Sequence, residues 1–141
     1  MGKAPRLSNH DYASNGTYFV TICTRHRQPL LVGKVAVVVE RELLALPARF
    51  GGLSIDCWKM MPDHLHVLAR LHECGATLSE AVQAFKSLST RAARHAAGRG
   101  RLWQPGFHDR IVRREKNLEG LREYIRNNDV VHRKRRDSDR L

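Results

Sequence analysis

Three things are scarce in this 141-residue chain: cysteine, acidic side chains and long apolar runs. Cys23, Cys57 and Cys74 form an odd, widely spaced set without a C-x-x-C pair. That pattern argues against a disulfide framework and a thiolate zinc site, and leaves three ordinary buried or half-buried thiols. No apolar run approaches the roughly 20 residues needed to span a bilayer. The opening MGKAPRLSNHDYASNG has no apolar core of the kind a signal peptide carries. A cytoplasmic protein without a membrane partner is the expectation. The shortage of acid matters most: 14 Asp and Glu face 25 Lys and Arg, for a formal charge of +11 and a pI near 10.4. Such an excess calls for a polyanionic partner, most commonly nucleic acid, although charge alone does not separate DNA from RNA.

The length suits one domain with a real hydrophobic core, and no internal repeat or long linker divides it. Thr17 to Thr24 (TYFVTICT) is β-branched and aromatic, and reads as a strand. Val35 to Leu46 reads as a helix ending before Pro47. Leu53 to Met61 and His64 to Leu71 read as strands joined by the tight-turn residues Met61-Pro62-Asp63, an antiparallel hairpin. Thr77 and Glu80 have capping-box spacing and open a second helix, whose stripe is Leu78, Val82, Phe85 and Leu88 and whose end is set by Gly98 and Gly100. A short strand at Arg110 to Arg113 precedes a third helix from about Leu118 to Asn127, with Asn117 as its cap. This order predicts an α+β, ferredoxin-like fold: an antiparallel sheet with two helices on one face and a further C-terminal helix. Residues 1–131 form the expected domain, and 132–141 a basic, mobile tail.

Alternation along a strand puts His64 and His66 on one face, with Leu65, Val67, Ala69 and Leu71 on the other, where the first two helices can cover them. Paired imidazoles on an open face can hold one metal ion with positions left for water or substrate. The same H-x-H pattern also suits two polar residues on a solvated surface. Tyr124 and Asn128, four apart near the end of the last helix, share a helical face. A tyrosine hydroxyl is a possible nucleophile toward phosphorus once activated, and an Asn amide oxygen a possible metal ligand. Leu121, Tyr124 and Ile125 equally read as a packing stripe.

MPDHLHVLARL resembles the H-hydrophobic-H strand of the single-tyrosine HUH transposases. WQPGFHDRIVR followed by LREYIRNND resembles the later part of that family, with its Tyr-Ile-x-x-Asn helix, and YFVTICTRHRQPLL and LSEAVQAFKSLST also fit. The resemblance runs from about Tyr18 to Val131 and is greatest to the REP-associated tyrosine transposase branch. It implies that His64 and His66 are metal ligands, Asn128 the third ligand and Tyr124 the nucleophile, around a divalent ion, Mg2+ or Mn2+. The implied reaction is cleavage and transfer of single-stranded DNA, folded into hairpins, through a 5′-phosphotyrosine. One position departs from the pattern: Asp129 stands where the family commonly has proline. That removes a helix stop and adds a carboxylate near the third ligand.

Candidate DNA contacts are Lys86, Thr90, Arg91 and Arg94 on the second helix, Arg110, Arg113 and Arg114 about the last strand, and Arg133, Lys134 and Arg135 in the tail. Trp103, Phe107 and His108 offer rings for base stacking, or, for Trp103 and Phe107, anchors in the core. Two other functions compete with strand transfer. One is a non-catalytic DNA-binding regulator derived from a transposase, and the other is a metal-dependent hydrolase that uses water. Both monomers and homodimers that exchange the tyrosine helix fit the resemblance.

Overall fold

A computed structural model describes the backbone of residues 15–140 and the side chains of residues 15–127. The element order is β1 (Gly16–Cys23), a 3-10 turn at Arg25–Arg27, α1 (Gly33–Leu44), α2 (Leu46–Arg49), β2 (Leu53–Met61), β3 (His64–Leu71), α3 (Leu78–Ala97), β4 (His108–Val112) and α4 (Glu115–Arg140). The strands form one antiparallel sheet in the order β2-β3-β1-β4. That is the ferredoxin-like arrangement.

The core lies on one side of this sheet. Tyr18, Val20 and Ile22 of β1 and Leu65, Val67, Ala69 and Leu71 of β3 meet Val35, Val38, Val39 and Leu43 of α1 and Leu78, Ala81, Val82 and Phe85 of α3. Period-two burial from Tyr18 to Ile22 and three- and four-residue spacing in the helices set this core on one face, while β3 is buried on both faces from Leu65 to Ala69, so other elements cover part of the reverse face. Deeper along α3 the buried positions are Ser89 and Ala93, while Leu88 is half-buried, a correction to the predicted stripe. Ser89 fits because its hydroxyl bonds back to Phe85 O (2.7 Å) and accepts the Trp103 indole N–H (3.0 Å). Buried polar groups need such partners.

The predicted caps of α3 are present. Thr77 Oγ1 accepts from Glu80 N, Glu80 Oε1 accepts from Thr77 N, and Gly98 ends the helix with φ +65°. The first helix starts two residues earlier than expected and stops at Leu44 rather than Leu46, and Pro47 sits in the first turn of the short α2, where a missing N–H is harmless. Gly52 (φ +92°) is held where a Cβ would lie 2.4 Å from His72 O, and its own carbonyl accepts from His72 N, fastening the start of β2 to the end of β3.

The C-terminal part differs more from the sequence reading. β4 begins at His108 rather than Arg110, because its ladder with β1 extends to Thr21 opposite His108. The last helix begins at Glu115, with Leu118 N bonded to Arg114 O, so Asn117 lies inside the first turn and is not the cap. It also continues past Asn127 to Arg140, through the stretch where Asp129 replaces a proline stop.

Candidate active site

The reverse face of the sheet carries the chemistry. Pairing sets Thr21 opposite His66, Cys23 opposite His64 and Phe19 opposite Leu68, all directed away from the main core. This face is only partly open. α4 packs along the edge strand β2 and also touches β4, and buries Ile125; Leu68 is buried on the histidine side, outside the main core. The first two helices therefore cover one face as expected, while α4 roofs part of the other. His66 ends up 9 % exposed and Tyr124 51 % exposed, so the phenol stands at the edge of the roof with access to solvent.

His64 and His66 meet edge to face with ring centroids 4.7 Å apart, and the Tyr124 ring centroid lies 5.9 Å from that of His66. Residues 60 positions apart in sequence thus share one site within a single chain. Each imidazole is oriented through Nδ1. His64 Nδ1–H donates to Asp63 Oδ1 (2.7 Å), because a carboxylate can only accept, which leaves Nε2 with the lone pair when the ring is neutral. His66 Nδ1 lies 3.0 Å from Thr21 Oγ1, and Phe19 stacks on its ring at 5.2 Å. Asp63 also accepts from Arg27 Nη2 (3.1 Å), and its carboxyl is held below the usual range by His64 and Arg27 against the opposing effect of burial. Burial first, and the His64 charge second, push His66 down to about 4, so this ring is neutral at neutral pH.

Two imidazoles oriented through Nδ1 are suitable donors for a divalent ion through Nε2, provided that His66 Nδ1–H donates to Thr21 Oγ1. Among the described residues, no cluster of three or more His, Cys, Asp or Glu side chains could hold one. A third protein ligand would have to be of another type or lie outside the described residues. Asn128 follows Tyr124 by one turn of α4, but its side chain lies outside the described residues, as do those of Arg133, Lys134 and Arg135. One of the two thiols on this face, Cys57, is pushed up to about 11 by burial and the neighbouring Asp56 carboxylate, and so is unreactive as a thiolate.

The expected DNA contacts separate into groups. Thr90, Arg91 and Arg94 line an open groove with Ser87, Arg101 and Gln104, between α3 and the loop leading to β4. Lys86 borders this groove, but its ammonium donates to the carbonyls of Gln104 (2.9 Å) and Gly106, and burial lowers its pKa. It fastens the loop while also lining the groove. Arg110 lies on the histidine face with its guanidinium 5.3 Å from the Phe19 ring centroid. Arg113 and Arg114 lie at the other end of the sheet, beside Arg70 and His72. Trp103 and Phe107 are buried core anchors, whereas His108 is exposed. Thr21, Phe19, Asp63 and Arg27 were not singled out from sequence. The Asp63–His64 adjacency was a usable signal, but the other three depend on strand pairing or on a turn.

Paired, pre-oriented imidazoles beside a solvent-accessible tyrosine on a ferredoxin-like sheet define a single-tyrosine HUH-type site. The family model described as "Transposase IS200 like" matches residues 12–128, and the chain belongs to that family. It is 27% identical over 121 residues to the REP-associated tyrosine transposase of Escherichia coli K12, covering 86% of this chain and 70% of that one. An uncharacterized protein of Haemophilus influenzae is 26% identical over 156 residues, covering 89% of this chain and 87% of that one. In fold, the chain is similar to a REP-associated tyrosine transposase solved bound to a REP hairpin, with a TM-score of 0.72, 24% identity, and 91% of this chain and 74% of that one covered. Among the described residues, no helix is long and apolar enough to cross a membrane.

Proposed function

We propose that this transposase cleaves and rejoins single-stranded DNA next to hairpins through a covalent bond to Tyr124, at a divalent ion held by His64 and His66, with Asn128 as third ligand. The observation that carries this reading is the placement of the Tyr124 ring 5.9 Å from His66, itself 4.7 Å from His64, in one partly roofed site. Mg2+ or Mn2+ bound there would polarise the scissile phosphate and offset the charge building on its oxygens.

The chain's own residues supply the rest. Asp63 and Thr21 hold the imidazoles by Nδ1. α4 brings the Tyr124 hydroxyl to the site, where it attacks phosphorus in line. A bond forms between Oη and phosphorus, and the bond from phosphorus to the 3′-oxygen breaks. The phenolic proton passes to solvent, and the departing oxygen gains one to become a 3′-hydroxyl. Attack by the hydroxyl of another strand reverses these steps and completes a transfer.

The groove of Thr90, Arg91, Arg94 and Arg101 is suited to the phosphates of a hairpin stem. Its loop wall adjoins the histidine end of the sheet, since Gln104 N bonds Cys23 O (3.1 Å) and Thr24 N bonds Asp63 O (3.0 Å). A stem in the groove would thus leave its single-stranded flank near Tyr124.

The deciding test incubates the protein with labelled hairpins from palindromes flanking its gene, with Mn2+ or with chelator, on denaturing gels. A shifted protein–DNA band that needs metal and vanishes in Tyr124→Phe is expected. Adduct formation by Tyr124→Phe overturns the nucleophile. Tight binding without any adduct from the unmodified protein would favour the regulatory reading.

A further inference from the structure

The proposed reaction requires Tyr124 to face the histidines, and among the described residues the helix that carries it packs on β2 and β4. Among the described side chains of α4, Ile125 is the one that is fully buried. A polar attachment lies two residues before the tyrosine, at an irregularity in the edge strand. β2 pairs regularly with β3 except between Ile55, opposite Ala69, and Cys57, opposite Leu68, so Asp56 is an extra residue in a β-bulge. Arg122 grips that residue with both arms of its guanidinium: Nε lies 3.0 and 3.2 Å from the two carboxylate oxygens, and Nη2 lies 2.7 Å from Oδ2. Glu119, one turn earlier, steadies the same guanidinium at 3.5 Å.

We infer that Asp56 and Arg122 are positioning residues for the nucleophile: the bulge presents a carboxylate to α4, and the fork of Arg122 fixes the helix so that Tyr124 meets the histidines of its own chain. This rests on the proposed role of Tyr124. A planar guanidinium bonded twice to a carboxylate restricts both direction and rotation, which a single apolar contact does not. Two attachments, Arg122 on the bulge and Ile125 in the apolar layer, bracket Tyr124 on the helix. The hydrogen bonds from Arg122 hold Asp56 below its ordinary carboxylate range, so the grip persists throughout neutral and mildly acidic conditions. Without the bulge, alternation would direct the Cys57 side chain into the core, and the ordered row of Cys57, Lys59 and Met61 on the histidine face would be lost.

The test compares the unmodified protein with Arg122→Ala, Asp56→Ala and the charge-exchanged pair Asp56→Arg with Arg122→Asp. Three quantities are read: hairpin affinity, single-turnover adduct rate at saturating hairpin with Mn2+, and the nuclear Overhauser contact between the Tyr124 and His66 rings without metal. Each single substitution is expected to slow the adduct step about 10- to 100-fold, the cost of a misplacement on the order of an ångström. Affinity should stay within about twofold, the ring contact should fade, and the exchanged pair should regain both rate and contact. Arg122→Lys, which keeps the charge without the fork, should fall between. An unchanged rate and ring contact, even with a lower melting temperature, would overturn the inference. So would a slowed rate with the ring contact intact. If the unmodified protein forms no adduct, the proposed reaction fails, while the ring contact still decides the positioning role.

Discussion

Each histidine is oriented by a neighbour outside the proposed ligand set. Asp63 serves the turn between β2 and β3, the Nδ1 of His64 and the guanidinium of Arg27 together. Thr21, on the adjacent strand, does the corresponding work for His66. Partners of this kind fix ring orientation and tautomer, and losing one typically costs about 10- to 100-fold in metal affinity. Asp63→Asn and Thr21→Val are each expected to weaken Mn2+ binding by that factor, read by titration calorimetry. Thr21→Val should leave the fold intact, because valine suits a strand as well as threonine does. Affinity equal to that of the unmodified protein would show that these bonds are incidental to the site. His64, His66 and Tyr124 were singled out by the family motifs that contain them, since their spacing alone also fits a solvated face and a packing stripe. Thr21 was not, because a threonine in a strand carries no mark of what lies across the ladder.

Elements take their positions from contacts that local sequence signals only in part. The start of α3 was readable because a capping box is local chemistry within four residues. The anchoring of its C-terminal half was not, since it depends on Ser89 meeting Trp103 across 14 residues. Ser89→Ala leaves the buried indole N–H without its acceptor. The expected loss is about 1–3 kcal/mol of stability, measured from the urea midpoint. A loss near zero would mean that the indole finds another acceptor. The start of α4 was misplaced by a few residues because Asn117 looked like a cap. In the fold, the chain turns immediately after β4 and is already helical at Glu115, so the helix begins where the sheet ends rather than at the best capping residue. Its bulge partner Asp56 was likewise hidden, since one extra residue in an edge strand breaks no composition rule.

At the scale of the molecule, the +11 charge is spread over regions with different roles. Arg91, Arg94 and Arg101 line the groove beside α3, Arg110 borders the histidine face, and Arg122 and Lys86 are committed to holding the structure together. Counting basic residues therefore overstates the number available to phosphates. Arg94→Ala and Arg101→Ala should each weaken hairpin binding and reduce the slope of log affinity against log salt by about one, a phosphate contact apiece. The adduct rate at saturating hairpin should not change, because the groove lies apart from Tyr124. An unaltered salt slope in both variants would place the hairpin on another surface.

The sequence alone determined the α+β strand and helix order and the β2–β3 hairpin, and its resemblance to the transposase family pointed to the paired histidines and the tyrosine. All of these are written in short-range periodicity, turn chemistry or motif spacing, which survive without knowledge of the fold. Only the tertiary structure decided that Tyr124 meets His66 within one chain, that α4 roofs the histidine face, and that Lys86 and Arg122 hold structure while Arg94 lines a groove. Those outcomes depend on strand register, on a single-residue bulge and on the path of α4 across the sheet. They are contacts between residues far apart in the chain, and such contacts exist only once the sheet has closed.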